Sequence, residues 1–128
     1  MSSDRSPQLD LVIDCADPEA LAGFWAPALG YRKVGFREPY FLLLPTRRSE
    51  PPLLLQRVPE AKTSKNRVHF DIRTDDVDGE VVRLEGLGAR RLHAAQDGGM
   101  RWVTMADPEG NEFCVCPGVG LDLGAGPS

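Results

Sequence analysis

Hydrophobic and polar residues alternate along two short stretches of the chain, Leu9 to Cys15 and Asn66 to Arg73. Alternation with this period predicts β-strands that are buried on one face. The two stretches also align with each other, since Asp10-Leu11-Val12-Ile13 lies over His69-Phe70-Asp71-Ile72. A run with helical spacing follows each stretch, so the pattern predicts a repeat that begins with a strand and a helix.

Capping residues bound the two predicted helices. Asp17 precedes the first helix, which Gly30 ends, and Asp76 and Gly88 bound the second in the same way. Pro27 inside the first helix predicts a kink or an early end near Ala26. Three strands are predicted after each helix: Tyr31 to Phe36, Tyr40 to Leu44 and Leu53 to Val58, then Arg90 to Ala94, Arg101 to Ala106 and Glu112 to Cys116.

The predicted fold class is therefore α+β, with two βαβββ modules forming a curved mixed sheet around a concave cavity. A chain of 128 residues fits one domain. Module one covers about residues 8–58, a polar linker residues 59–66 and module two residues 67–117. Residues 118–128, rich in glycine and proline, are expected to form a flexible tail.

The strand faces that point away from the helices are unusually polar. In module two, His69 and Asp71 share this face with Trp102 and Thr104. Burial of unpaired charges costs several kcal/mol each, so the charges either pair with one another or border water or a ligand. Pairing of Asp71 with Arg73 or Arg67 at a wet sheet edge and a ligand cavity both remain open.

Composition and charge exclude two classes of partner. The formal net charge is -4 and no run of Lys or Arg exceeds two residues, so binding to nucleic acid or to an anionic membrane is not expected. The chain has no apolar leader and no apolar stretch long enough to span a bilayer, which favours a cytoplasmic location. The chain has three cysteines, an odd number, and disulfide bonds are not expected in the cytoplasm.

Three segments carry a family resemblance. The helix Asp17-Pro18-x-x-Leu21-x-x-Phe24-Trp25-x-x-x-Leu29-Gly30, the strand Val68-His69-Phe70-Asp71-Ile72 and the hairpin from Met105 to Phe113 resemble the glyoxalase-like branch of the vicinal-oxygen-chelate superfamily. Its members include glyoxalase I, extradiol dioxygenases, fosfomycin-inactivating transferases and bleomycin-resistance proteins. The resemblance covers about residues 8–117 and implies the fold more strongly than it implies any one activity.

The resemblance also implies a set of metal ligands. In metal-using members the ligands come from the first strand of each module and the last strand of module two, commonly His or Gln, His, and Glu. The matching positions here are Asp10, His69 and Cys114, so a thiol stands where the family usually has a carboxylate. Asp, His and Cys can all bind a divalent metal such as Zn, Ni, Mn or Fe. The departure from the family pattern favours a chain that requires no cofactor, with Cys114 as a small buried residue.

Two functions follow from the resemblance. The first is a metal-free protein that sequesters an aromatic or bulky small molecule such as an antibiotic; the second is a metal-dependent lyase, isomerase or dioxygenase acting on vicinal oxygens. Trp102 either stacks on a planar ligand or closes one end of the cavity. The resemblance further implies a homodimer. The candidate ligand-binding residues are Trp102, His69, Asp71, Arg67, Asp10 and Thr104.

Overall fold

The computed structural model describes residues 7–47, 49–97 and 100–118. Apart from Gly118, the tail expected at residues 118–128 lies outside these ranges. The chain divides into two compact units, Met1–Ala61 and Lys62–Ser128. The boundary falls inside the stretch interpreted as a linker.

Each unit contains one four-stranded mixed sheet and one helix. The first unit comprises β1 (Leu11–Cys15), α1 (Pro18–Leu29), β2 (Arg32–Arg37), β3 (Tyr40–Leu44) and β4 (Leu53–Arg57), with strand order β1-β4-β3-β2. The second comprises β5 (Phe70–Thr74), α2 (Val77–Leu87), β6 (Arg90–Asp97), β7 (Met100–Ala106) and β8 (Glu112–Pro117), with strand order β5-β8-β7-β6. The first strand of each unit pairs in parallel with the last, and the other pairs are antiparallel. The predicted α+β fold and its βαβββ repeat are confirmed.

The helices begin at the predicted caps. The Asp17 carboxylate accepts a hydrogen bond from the Ala20 amide at 3.1 Å, and Asp76 accepts one from the Gly79 amide at 3.0 Å. Of the two outcomes predicted from Pro27, the early end near Ala26 is wrong, because α1 continues through Pro27 to Leu29, and the kink stays a prediction. The Gly30 amide then donates to the Ala26 carbonyl, which satisfies the C-terminal turn. Neither helix is long and apolar enough to cross a membrane, within the part of the chain that the structure describes.

Each helix packs one apolar stripe against its own sheet. In the first unit, Phe24 and Trp25 are fully buried, with their rings edge to face at a centroid distance of 5.0 Å. The sheet beneath contributes Leu43, Leu53 and Leu55, all fully buried. In the second unit the corresponding core consists of Val81, Leu84, Val103, Met105, Phe113 and Val115.

The strand expected to open module two is shorter than predicted. It begins at Phe70, whose register partner is Phe113, and Arg67 and Val68 form a bend before it. Val68, assigned from the sequence to the apolar face, is 80% exposed, so that assignment is wrong. By the same register Val68 would face Asn111, which precedes β8 (Glu112–Pro117), so Val68 has no strand residue against which it can pair.

Candidate functional site

The second sheet has one face covered by α2 and one face that is polar. Val103 and Val115 are fully buried on the helix-covered side. Thr104 follows Val103 in β7 and Cys114 precedes Val115 in β8. Cys114 is the register partner of Thr104 on one side and of Asp71 on the other. Successive side chains on a strand point to opposite faces, so these residues form a row on the side away from α2. We call this side the polar face; it carries His69, Asp71, Arg73, Trp102, Thr104, Glu112, Cys114 and Cys116.

Three of these residues form a compact cluster. The His69 Nε2 atom lies 3.4 Å from the Asp71 Oδ1 atom. Together with the Cys114 sulfur, one candidate ligand atom from each of these residues lies within 4.8 Å of the others. The Thr104 hydroxyl contacts the Cys114 sulfur at 3.5 Å, which fixes the thiol on the polar face. A nitrogen, an oxygen and a sulfur donor therefore meet at one point of the sheet.

Glu112 lies on the same face but is engaged elsewhere. Its carboxylate accepts a hydrogen bond from the Asn66 amide at 2.9 Å and forms an ion pair with Lys62 at 3.3 Å. The hydrogen bond from Asn66 is the main cause that holds the pKa of Glu112 below its usual value, and Lys62 acts in the same direction. Glu112 thus fastens the segment before His69 to the start of β8.

Trp102 and Cys116 occupy the part of the polar face beyond Thr104 and Cys114. Trp102 lies two residues before Thr104 on β7, is half-buried, and has Ala95 as its partner on β6. Burial, and then the nearby Asp71 carboxylate, raise the pKa of the Cys116 thiol. Cys116 therefore remains a neutral thiol near pH 7.

The structure brings together only some of the residues predicted from the sequence. His69, Asp71, Thr104 and Cys114 make direct contacts or share the cluster, and Trp102 shares their face. Arg67 lies on the exposed bend before β5. Asp10 belongs to the first unit, where it is exposed just before β1, and its role as a ligand stays a prediction.

The cluster contains a residue that the sequence did not suggest as a metal ligand. Asp71 was a candidate for ligand binding only, whereas its carboxylate now stands beside His69 and Cys114. The sequence did contain a signal for Asp71, namely its spacing of two residues from His69, because residues two apart on a strand point to the same face. The family pattern implied Asp10 as the third metal ligand instead.

The donor set fits a divalent metal of intermediate softness. Imidazole, carboxylate and thiolate are all zinc ligands, and three protein ligands leave one coordination position for water or substrate. His69, Asp71 and Cys114 would hold the ion. A bound divalent cation would polarise an oxygen of a bound molecule as a Lewis acid.

Comparison with known families identifies a match over most of the chain. The sequence profile described as "Glyoxalase-like domain" matches residues 10–116. No curated protein sequence gives a significant match.

Many solved structures share this fold, and the three described next are distant from this chain in sequence. One is a mutant of the genomically encoded fosfomycin resistance protein FosX from Listeria monocytogenes, complexed with Mn(II) and 1S,2S-dihydroxypropylphosphonic acid; it is 15% identical, with 95% of this chain and 94% of that chain covered and a TM-score of 0.71. A glyoxalase/bleomycin resistance protein/dioxygenase family enzyme from Burkholderia phytofirmans is 17% identical, with 84% and 94% covered and a TM-score of 0.67. Lactoylglutathione lyase from Agrobacterium tumefaciens is 21% identical, with 91% and 96% covered and a TM-score of 0.63. At these identities the likeness shows the fold alone.

Proposed function

The chain belongs to the glyoxalase-like family, and from that premise we propose that it binds an aromatic or bulky small molecule, such as an antibiotic, on the polar face of its second sheet. The observation that carries this proposal is the position of Trp102. Its indole stands on the same side of the sheet as Thr104, Cys114 and Asp71, while the opposite side of the same strands is packed against α2. An indole next to polar groups offers both a stacking surface and hydrogen-bond partners.

The candidate ligand-binding residues have distinct parts in this proposal. Trp102 stacks on the planar part of the ligand, the Thr104 hydroxyl donates or accepts a hydrogen bond at its edge, and the Asp71 carboxylate accepts one there. His69 adds a second hydrogen-bonding group beside Asp71, at 3.4 Å from it. Arg67, on the exposed bend, is suited to meet an anionic substituent. The ligand-binding role of Asp10, which lies in the first unit, stays a prediction.

A metal-dependent lyase, isomerase or dioxygenase is the second candidate. It is favoured by the cluster of His69, Asp71 and Cys114, whose ligand atoms lie within 4.8 Å of one another. The FosX structure described above contains Mn(II), so the fold is compatible with a divalent cation. Turnover that depends on added Zn, Ni, Mn or Fe would distinguish this candidate from a sequestering protein.

We also propose that the chain acts as a homodimer in the cytoplasm. Each sheet ends in strands that pair on one side only within its unit, β1 and β2 in the first and β5 and β6 in the second. Unpaired strand edges favour association with another surface. All three cysteines are free thiols, as is usual in a reducing compartment. A monomeric mass by light scattering at tens of micromolar protein would contradict the dimer.

The binding proposal is tested with tryptophan fluorescence. The chain has two tryptophans, so Trp25→Phe leaves Trp102 as the sole indole reporter, and Trp102→Phe is the matched control. Bleomycin and other aromatic antibiotics serve as probes, with fosfomycin as the non-aromatic comparison. We expect a saturable change in the emission of the Trp25→Phe protein with at least one aromatic probe. A change that persists in Trp102→Phe and is absent from Trp25→Phe would contradict the proposal, as would no saturable change with any aromatic probe.

A further inference from the structure

We propose that two copies of the chain associate face to face through the side of the first sheet that points away from α1, about a two-fold axis parallel to the strands. We call this side the open face; it is the side of β1 to β4 opposite the fully buried Leu43, Leu53 and Leu55. The inference rests on the homodimer proposed above and assigns a surface to it. It concerns the first unit alone and uses no residue of the polar face.

The open face leaves apolar side chains accessible in the middle of a sheet. Val12 is 49% exposed and Tyr40 is 40% exposed, whereas Leu43, Leu53 and Leu55 on the other side are fully buried under α1. A contiguous apolar surface that is bordered by polar groups is typical of an interaction site. The partner that fits this surface follows from the arrangement of its residues in rows.

One row of the open face crosses all four strands and changes from acid to base. Asp14 is the register partner of Gln56, Gln56 of Tyr40, and Tyr40 of Arg37. Cross-strand partners lie on the same side of a sheet, so the row runs from carboxylate through amide and phenol to guanidinium. Among the residues that the structure describes, none forms a hydrogen bond or an ion pair with these four side chains. Their polar groups are therefore available to a second molecule.

This row is complementary to a second copy of itself. The strand order is β1-β4-β3-β2, so a two-fold axis that runs along the strands between β4 and β3 exchanges the two ends of the row. Asp14 then faces Arg37 of the second copy, and Gln56 faces Tyr40. A carboxylate with a guanidinium and an amide with a phenol are matched donor and acceptor pairs. Each pair occurs twice in such an interface.

The neighbouring row is matched in shape about the same axis. Val12, Leu54, Leu42 and Gly35 are successive register partners across the four strands. The axis places Leu54 on Leu42 of the second copy and Val12 on Gly35. An added Cβ at Gly35 would meet nothing within 4 Å, so the exposed Val12 side chain has room there. Two sheets whose strands run within about 30° of one another form a usual face-to-face packing.

The size of the open face indicates a reversible dimer. Four short strands spaced about 4.8 Å apart form a face about 14 Å wide and about 17 Å long. An interface of this size belongs with weak and transient complexes rather than with permanent ones. We therefore expect a dissociation constant in the micromolar range, which ordinary protein concentrations can titrate.

The test reverses one charge at each end of the polar row. Asp14→Arg and Arg37→Asp each place two pairs of like charges in the homodimer. An equimolar mixture of the two variants removes this repulsion, because the two substituted positions face each other and the unchanged Asp14 and Arg37 also face each other. Lys33→Asp is the matched control, since Lys33 is exposed on the same strand as Arg37 but pairs with Leu43 on the side covered by α1.

Sedimentation equilibrium over a range of concentrations gives the dimer dissociation constant of each protein, and melting curves establish that each variant folds. We expect each reversal to raise this constant roughly tenfold or more, the mixture to return close to the wild-type value, and Lys33→Asp to leave it unchanged. A wild-type dimer that neither reversal weakens, or a mixture that does not recover, would overturn the open face as the interface and leave the homodimer standing. A wild-type monomer at all concentrations would overturn both.

Discussion

Asn66 and Glu112 are joined by two hydrogen bonds at one end of the polar face. The Asn66 amide donates to the Glu112 carboxylate at 2.9 Å, and the Asn66 side-chain amide donates to the Glu112 carbonyl at 3.1 Å. These contacts hold the segment before β5 against the start of β8. The position of His69, three residues after Asn66, therefore depends on an acid that does not belong to the cluster of His69, Asp71 and Cys114.

The Glu112 carboxylate should make stability depend on pH. Its pKa is lowered in the folded chain, chiefly by the hydrogen bond from the Asn66 amide, so the charged form is favoured by folding. The resulting stabilisation is present above the ordinary pKa of glutamate, about 4.3, and is lost as pH falls through the lower folded pKa. We expect Glu112→Gln to be less stable than wild type at pH 7, with the difference shrinking as pH falls below about 4. Urea unfolding at several pH values measures this, and a difference that grows on acidification would contradict the assignment.

Two glycines of α2 should respond oppositely to alanine. Replacement of an exposed helical glycine stabilises a helix by roughly 0.5–1 kcal/mol, and an added Cβ at Gly86 meets nothing within 4 Å. At Gly79 an added Cβ would lie 2.2 Å from the Asp76 carboxylate that caps the helix. Displacement of the cap costs about 1 kcal/mol, so Gly79→Ala should be neutral or destabilising. Chemical denaturation of the two variants side by side checks the difference, and equal stabilisation would show that the cap is not needed.

Asp107 should be the most sensitive acid in the hairpin between β7 and β8. It is 1% exposed, and its Oδ1 atom accepts hydrogen bonds from the amides of Glu109 and Asn111, both at 2.9 Å. Loss of a buried charged acceptor leaves these donors unsatisfied, so Asp107→Ala should cost on the order of 3 kcal/mol of unfolding free energy. Glu60→Ala, on an exposed segment, is the control and should change stability by less than about 0.5 kcal/mol. Similar losses in both variants would exclude a special role for the Asp107 carboxylate.

The two tryptophans should differ in their contribution to stability. Trp25 is 1% exposed and packs edge to face on Phe24, so Trp25→Ala should cost about 3–5 kcal/mol. Trp102 is half-buried on the polar face, and its truncation should cost clearly less. Thermal melting compares the variants without ligand. A larger loss for Trp102→Ala would mean that its indole serves the core rather than a ligand.

The fold was predictable because several local signals agree in each unit. Alternation marked the strands, and Asp17, Asp76, Gly30 and Gly88 marked the helix ends that the structure confirms. The early helix end predicted from Pro27 was wrong. The helix continues past Pro27, and the amides of the residues after its last turn donate hydrogen bonds to the Ala26 carbonyl.

The site was only partly predictable because its contacts are made by residues outside the repeating pattern. Alternation placed His69, Cys114 and Thr104 on one face, as the register requires. The Asn66 contacts arise in a polar segment without hydrophobic periodicity. Val68 was assigned to the wrong environment because the predicted strand began before Phe70, the first residue that pairs with β8.

The most direct test of the central claim is the change in dissociation constant caused by Trp102→Ala, measured by calorimetry with the aromatic probe that binds the wild type best. Truncation of an aromatic anchor should weaken binding by about 1–3 kcal/mol, which raises Kd by about 5- to 140-fold. Trp25→Phe, in the core of the first unit, should leave Kd of the folded protein unchanged. An unchanged Kd for a folded Trp102→Ala protein would contradict the assignment of ligand binding to the polar face.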